Sequence, residues 1–481
     1  MKWPFIAGIV YILIVIIVCL RVVYDTRSTT KTMAYLLLCI FIPIAGVLFY
    51  LIFGINYWKR KQYDKKSEED EKVLQSLKRD MGVFVDEIVK PEKMADDDNK
   101  ELAAMLAKIL HSPLTAGNKV KIFVNGEEKF PEVLQALRDA KHHIHLEYYI
   151  YEQDHIGKEI ENILIEKAKQ GIQVRIIYDD FGSPAINKKM ETRLHDAGVE
   201  IHPFQKVLFY LLANRLNYRN HRKIIVIDGQ TSFTGGINVS DKYINDKPGQ
   251  LFWRDTHVRI DGPGVFYLQY LFITDWNFCA AKKMKIDKLH FINTANFKEN
   301  AFTQVVASGP DSSQPSILYS ILQAIYLAKK EIFITTPYFI PGDNILDALE
   351  IAALSGISVK LLVPGKGDSV LVNSAAKSYY EKLLVAGVEI YRYQKGFVHA
   401  KTLVADSKLS IIGTANTDFR SFELNFEVNV IIYDDKTSNK LRNIFIEDLK
   451  DAKKINAKEW CNRSVVKQLP EKLARLFSPV L

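Results

Sequence analysis

The chain has 481 residues, of which 48% are hydrophobic, and a formal net charge of +8. It is too long for one ordinary domain, and its apolar content is ample for real cores. Its four cysteines, Cys19, Cys39, Cys279 and Cys461, lie far apart with no C-x-x-C. That argues against a disulfide framework and a structural zinc site, while the modest positive charge fits either an anionic membrane surface or nucleic acid.

The chain opens on two apolar runs, Trp3 to Leu20 and Met33 to Phe53, each near the ~20 residues that a membrane-spanning helix needs. The short polar stretch from Arg21 to Thr32 makes the pair a helical hairpin, with spans of about 3–22 and 33–53. A cleaved signal peptide fits poorly, because Val18-Cys19-Leu20-Arg21 lacks the small residues of a cleavage site. Pro43 falls inside the second run, where spanning helices tolerate it. Tyr50, Tyr57 and Trp58 suit the membrane interface. The connecting loop holds Arg21, Arg27 and Lys31, against Lys2, Lys59, Arg60, Lys61, Lys65 and Lys66 on the flanks. This excess places both termini, and everything after residue 58, on the cytoplasmic side of the cell membrane. From Lys59 to about Asn118 the chain reads as a charged linker, including the run from Asp96. Leu74, Leu77, Met81 and Val85 hint at a surface helix within it.

The remainder repeats. Ala140 to Ile150 is matched in pattern by Ala328 to Ile340, and Gly171-Ile-Gln-Val-Arg-Ile-Ile-Tyr by Gly356-Ile-Ser-Val-Lys-Leu-Leu-Val. Ala197-Gly-Val-Glu-Ile returns unchanged at Ala386. Helical periodicity is expected over Pro131–Lys141, Lys158–Lys169, Ser316–Lys330 and Ile345–Leu354, and buried strands over Ile144–Tyr151, Ile224–Ile227 and Ile332–Phe339. Elements repeating in this order point to a duplicated α/β domain.

Each half carries the pattern H-x-K-x-x-x-x-D: His221, Lys223 and Asp228, then His399, Lys401 and Asp406. A Gly follows each Asp by seven residues (Gly235, Gly413), and an Asn follows each His by seventeen (Asn238, Asn416). On a regular strand, His and Lys two apart share a face and can meet one phosphate together. Two histidines facing one substrate suggest phosphodiester chemistry, one attacking phosphorus and the other moving the proton.

These motifs resemble the phospholipase D superfamily over roughly residues 118–450. Asn220-His-Arg-Lys-Ile, Gly235-Gly-Ile-Asn, Trp253-Arg-Asp-Thr-His and Gly413-Thr-Ala-Asn-Thr-Asp-Phe-Arg-Ser-Phe-Glu-Leu-Asn-Phe-Glu narrow the likeness to bacterial cardiolipin synthases. The resemblance implies two duplicated α/β sandwich domains, each with a central mixed sheet, at 118–295 and 296–450. They would follow a hairpin (1–58) and a linker (59–117) and precede a tail (451–481). It implies transfer of a phosphatidyl group between two phosphatidylglycerol molecules; hydrolysis, or transfer to another head-group alcohol, is the alternative from the same site. Lys223, Lys401, Asn238 and Asn416 would bind the phosphate. His221 would form a phosphohistidine and His399 would act as acid and then base. Asp255 and Glu427 would orient the histidines. Asp228 and Asp406 belong to the catalytic motifs but are expected to fix nearby backbone. Gly235, Gly413 and Thr414 would border the substrate, the glycines by close backbone approach and Thr414 through its hydroxyl. No metal and no cofactor are implied, because the two lysines supply the electrostatics. The implied partners are phosphatidylglycerol and anionic membrane lipids, with no nucleic acid and no obligatory protein.

Other residues invite plainer readings. His142, His143 and His145 are not echoed in the second half and are expected in surface or strand roles. Asp179 and Asp180 read as a turn, and His257 as a sheet residue near the site. Leu469, Leu473, Leu476 and Phe477, set among Lys467, Lys472 and Arg475, fit either a basic amphipathic helix on lipid or a helix packed on the catalytic body.

Overall fold

The computed structural model describes residues 3–25, 29–53, 57–80, 94, 97–110, 112–206, 218–285, 288–291 and 301–478. Lys2, Arg27, Met81, Val85 and Asp96, named above, lie outside the described residues, as do the side chains of Lys31, Tyr57, Trp58, Lys59, Arg60 and Lys61. The chain divides into two compact units, Met1–Glu68 with Val207–Tyr218, and Glu69–Lys206 with Arg219–Leu481.

In the first unit a helix spans Trp3–Asp25, and its Gly8–Asp25 stretch is long and apolar enough to cross a membrane. Among the described residues it is the one helix that passes this test. The second apolar run is not one helix. It divides at Ile42 into Thr29–Phe41 and Pro43–Phe53, because Pro43 has no N–H with which to continue the ladder. Val18, Val22, Cys39 and Tyr50 pack together, and the Tyr50 hydroxyl donates to Asp25 at 3.3 Å.

The second unit is built on one sheet. Its first half supplies β1 (Thr115–Val124), β2 (His143–Tyr148), β3 (Gln173–Tyr178), β4 (Glu200–Pro203), β5 (Lys223–Ile227), β6 (Thr231–Gly235), β7 (Phe252–Arg254) and β8 (Thr256–Asp261). The second half supplies β9 (Ala301–Ser308), β10 (Glu331–Thr335), β11 (Phe339–Ile340), β12 (Ser358–Pro364), β13 (Glu389–Tyr393), β14 (Gly396–Val398), β15 (Thr402–Ala405), β16 (Leu409–Gly413), β17 (Thr417–Asp418) and β18 (Glu427–Tyr433). A last strand, β19 (Ala452–Lys454), follows.

In space the halves read β1-β8-β6-β5-β2-β3-β4 and β9-β18-β16-β15-β10-β12-β13, the same order twice. β1 pairs antiparallel with β9, so the two expected sheets fuse into a single mixed sheet of 15 strands, with β19 on its outer edge. The repeat reaches backbone detail. Gly171 and Gly356 take φ of +88° and +89° after matching helices (His155–Lys169, Gly342–Leu354), the left-handed turn that ends a helix and feeds the next strand.

One sheet face carries the apolar cores. Ile144, Leu146 and Tyr148 of β2 pack with the helices of the first half, and Ile332 and Ile334 of β10 do so in the second. Leu102, Ala103, Leu106 and Leu114, from the region expected as linker, join the second-half core. The opposite face of β2 presents His143 and His145, buried beneath the helix Val265–Cys279, where Gln269 meets His143 Nε2 at 3.0 Å and His145 Nδ1 at 3.2 Å. These histidines are polar core, buried because a helix covers that side.

The tail packs on the body. A helix over Val465–Arg475 lies against the helix Val370–Val385, with Ala474 buried and the Tyr379 hydroxyl donating to Ser478 at 2.9 Å. Its outer side leaves Leu469, Leu473, Leu476 and Phe477 exposed.

Candidate active site

Both motif histidines stand just before a strand rather than within one. β5 begins at Lys223 and β15 at Thr402. What positions each histidine is the other half of the chain. Asn220 bridges to Phe426, and His221 N–H donates to the Phe426 carbonyl at 2.9 Å. Equivalently, β14 pairs parallel with β7, and His399 N–H donates to the Arg254 carbonyl at 2.7 Å. Each of these docking segments leads directly into a carboxylate.

Those carboxylates cross over. His221 Nδ1 lies 2.9 Å from Glu427 Oε2, and His399 Nδ1 lies 2.7 Å from Asp255 Oδ2. Both acids are fully buried. Burial opposes their charge, but the facing histidines and lysines overcome it and hold both carboxyls below the usual range. A buried carboxylate only accepts, so each Nδ1 carries the proton and each Nε2 is left for chemistry. Lys401 Nζ also comes within 2.9 Å of His399 Nδ1, yet one nitrogen cannot both donate to Asp255 and accept from Lys401. The contact to Asp255 is shorter, so Lys401 is anchored by the His399 carbonyl. Lys223 donates likewise to the His221 carbonyl at 2.8 Å.

Burial dominates the electrostatics of this cleft. It pushes the imidazole of His221 down to about 4 and that of His399 to about 3, with both lysines adding to the shift and the paired carboxylates opposing it. The ammonium of Lys223 falls to about 7 and that of Lys401 to about 8 for the same first reason, and the two cations also repel each other. An empty cleft therefore holds neutral imidazoles beside lysines that ionise reluctantly. An anionic phosphate bound there would favour the charged form of all four groups.

The two asparagines are buried. Asn238 donates to the Tyr243 hydroxyl at 2.7 Å. Asn416 has a side-chain oxygen with no hydrogen-bond partner among the described residues. Since amide O and N exchange by a flip, that end suits a phosphate oxygen once rotated.

Asp228 and Asp406, though part of the catalytic motifs, fix nearby backbone as expected. Asp228 accepts from the backbone of Lys141, His142 and His143 at 2.8–2.9 Å, and Asp406 from Lys329, Lys330 and Glu331 at 2.7–2.9 Å. They tie the turn after each motif strand to the start of β2 or β10. Gly235 and Gly413 clear space for neighbouring protein rather than substrate. A Cβ on Gly235 would come 2.7 Å from the His257 Cα, and one on Gly413 would come 2.0 Å from the Asn429 side chain. Thr414 donates its hydroxyl to Glu427 at 2.5 Å. At the matching position in half one, a Cβ on Gly236 would fall 2.0 Å from Asp255 Oδ1. Asp179 makes the expected turn by accepting from Phe181 and Gly182, and it also accepts from Asn220 N–H at 3.1 Å, steadying the residue before His221. His257 is buried on β8, with neither ring nitrogen partnered among the described residues.

Two aromatic residues flank the histidines. Tyr149 lies edge-on to His221 at 4.9 Å between ring centres, and Trp253 does the same to His399 at 5.4 Å. Tyr149 follows the apolar β2 and gave no signal of its own, whereas Trp253 stands two residues before Asp255 in a string already noted.

Paired H-x-K motifs from two equivalent halves, crossed through their carboxylates, define a phospholipase D-like site. The comparisons narrow this. The family described as "Cardiolipin synthase, PLD-like domain" matches residues 133–249 and 321–449, and a "Phospholipase_D-nuclease N-terminal" family matches 9–54. A cardiolipin synthase of Alkalihalophilus pseudofirmus is 40% identical, covering 98% of this chain and 93% of its own. The major cardiolipin synthase of Bacillus subtilis is 39% identical, covering 98% of each. A phosphatidylserine synthase structure from Haemophilus influenzae shares the fold at a TM-score of 0.60 and 14% identity, over 79% of this chain and 100% of that one. The chain belongs to the cardiolipin synthase family, phosphatidyltransferases of phospholipase D type.

Proposed function

We propose that this chain transfers a phosphatidyl group from one phosphatidylglycerol to a second, releasing glycerol and forming cardiolipin. The observation that carries the reading is the crossed pair of oriented histidines around two buried lysines. Lys223 and Lys401 neutralise the phosphodiester anion, with Asn238 and Asn416 donating to its oxygens. Nε2 of neutral His221 attacks phosphorus, and the bond to the glycerol oxygen breaks as His399, protonated in the substrate complex, supplies its proton. The neutral His399 then removes a proton from a hydroxyl of the second lipid. That oxygen displaces His221 and restores both residues. One phosphodiester replaces another, so no external energy source is needed.

The chain is associated with the membrane through its apolar N-terminal region, as the helix Trp3–Asp25 and the matched N-terminal family support. We place a second crossing in the interrupted run Thr29–Phe53, with the catalytic halves on the cytoplasmic side as the lysine and arginine excess directs. The division into 1–58, 59–117, 118–295, 296–450 and 451–481 belongs to the same proposal, except that the helix Lys100–Leu110 and the start of β1 join the catalytic body. Phosphatidylglycerol and anionic lipids as the partners belong to it too.

The test is incubation of purified full-length protein with phosphatidylglycerol in detergent micelles, followed by mass analysis of the lipids. Cardiolipin and glycerol should appear one to one. Phosphatidic acid without cardiolipin would replace this reading with hydrolysis.

A further inference from the structure

Lys242 is a third cation beside the site, and the chemistry above gives it no task. It lies in the short turn Asp241–Tyr243 that follows Asn238. Its ammonium sits 4.5 Å from the centre of the Trp253 ring and 5.2 Å from that of Tyr243. Those two rings are 5.4 Å and 6.1 Å from the ring of His399. Lys242 is thus one aromatic ring removed from the histidine that handles the alcohol. Glu152, Asp154, Asp255 and Asp368 act on its charge through space, but none forms an ion pair with it among the described residues. Each of three already has other work: Asp255 holds His399, Asp154 accepts from Gly157 and Asp241 backbone, and Asp368 accepts from the Tyr338 hydroxyl. Burial depresses the Lys242 ammonium, and its charge in turn bears on Lys223 and Lys401.

The duplication makes the position informative. Lys242 stands four residues after Asn238 and 21 after His221, and Arg420 stands four after Asn416 and 21 after His399. Arg420 acts on Tyr149, the ring next to His221. The fold therefore sets one extra cation past each histidine, Lys242 on the alcohol side and Arg420 on the side of the attacking nitrogen.

The reacting phosphate already has Lys223 and Lys401. In the proposed reaction the alcohol that enters past His399 is itself a lipid, with a second phosphodiester three carbons from its attacking hydroxyl. We propose that Lys242 binds this non-reacting phosphodiester of the acceptor, and so selects a phosphate-bearing alcohol over water or a neutral one. This rests on the transfer reaction proposed above. An ammonium held over two rings, with no carboxylate ion pair among the described residues, is suited to a transient anion, since no such salt bridge must first break.

Two reactions separate this role from the others. Full-length protein in mixed micelles makes cardiolipin from phosphatidylglycerol, and with labelled free glycerol it exchanges label into phosphatidylglycerol. Both use the same donor phosphate and histidines, but only the first needs an anionic acceptor. Lys242→Met should cut cardiolipin synthesis by about tenfold to a hundredfold, chiefly through a raised apparent KM. Glycerol exchange should stay within about twofold when both reactions are run below about pH 7, where Lys223 and Lys401 keep their charges in either protein, because no second phosphate takes part. Lys242→Arg, which keeps the charge, should retain most of both. Equal loss in the two assays would assign Lys242 to the donor phosphate or to folding and overturn the proposal, and so would unchanged synthesis. If wild-type protein exchanges glycerol but makes no cardiolipin, the transfer reading falls and takes this role with it. The other outcomes bear on Lys242 alone.

Discussion

His221 hydrogen-bonds through Nδ1 to Glu427, a residue of the other catalytic half, at 2.9 Å. Thr414 donates to the same carboxylate oxygen, so histidine, carboxylate and supporting hydroxyl form one chain across the pseudo-symmetric boundary. Neither half contains a complete histidine pair. The crossing needs the halves held together, and the pairing of β1 with β9 in one continuous sheet does so.

Loss of either histidine should therefore abolish synthesis. His221→Ala and His399→Ala each remove an indispensable role, and rates are measured as cardiolipin formed per enzyme. Glu427→Gln keeps the shape but loses the charge that fixes the tautomer, so its rate should fall by on the order of a hundredfold to ten-thousandfold. Adding it to His221→Ala should cost little more, because residues acting as a unit are not additive. A single histidine mutant with near-normal turnover would mean that one half suffices.

Gly236→Ala tests the carboxylate in half one. The new Cβ would lie 2.0 Å from Asp255 Oδ1, so the carboxylate must move away from His399. Turnover should drop at least tenfold while circular dichroism and thermal unfolding change little. Unchanged kinetics would show that His399 does not need Asp255 in this position.

The pH profile follows from the cleft's burial. His221, the proposed nucleophile, is neutral above about 4, so kcat/KM should have its acid limb there. Lys223 and Lys401 lose their charges as pH rises through about 7 and 8, so affinity for the anionic substrate should fall over that range. In the substrate complex the phosphate raises these groups, and the alkaline limb of kcat should lie at higher pH than that of kcat/KM. Coincident limbs in the two profiles would argue that the lysines do not hold the phosphate.

Asp228→Ala should act on stability instead. It strips the acceptor from three backbone N–H groups at the start of β2. It also removes an Asp from a left-handed φ of +54°. A loss of about 1–3 kcal/mol is expected, read as a lower unfolding temperature, with the specific activity of the folded protein kept. Selective loss of activity at unchanged stability would return Asp228 to the chemistry.

Much of this was legible in the sequence, for identifiable reasons. The duplication was visible because local pattern and turn chemistry repeat, as at Gly171 and Gly356. The motif residues stood out by spacing alone. The exchange of carboxylates was not legible, because Asp255 and Glu427 sit at equivalent points of equivalent halves and nothing local says which histidine each will face. Thr414 and the glycines misled for a related reason: sequence shows that a small residue is required, not what occupies the space. Lys242 repeats the offset of Arg420 from Asn416, but a lone cation outside the motif carries no local mark of what it faces. The charged stretch before β1 concealed a core segment because Leu102, Ala103 and Leu106 are too few to outweigh the acids and lysines around them.

The covalent step has its own test. His399→Ala lacks the group that deprotonates the acceptor, so a phosphatidyl group loaded onto His221 should accumulate if glycerol can leave unaided. Rapid quenching under conditions that preserve phosphohistidine, with labelled phosphatidylglycerol, should place the label on the peptide containing His221. Label on the His399 peptide in the converse mutant alone would exchange the two roles and leave the reaction class intact. Stereochemistry at a chiral phosphorus decides whether any covalent intermediate exists. Two in-line displacements retain configuration, and one inverts it. The crossed geometry favours retention, because His221 and His399 are each oriented through Nδ1 and each have Nε2 left to act, one at phosphorus and one on the alcohol. Inversion would mean that the second lipid attacks the first directly, with His221 reduced to a proton carrier.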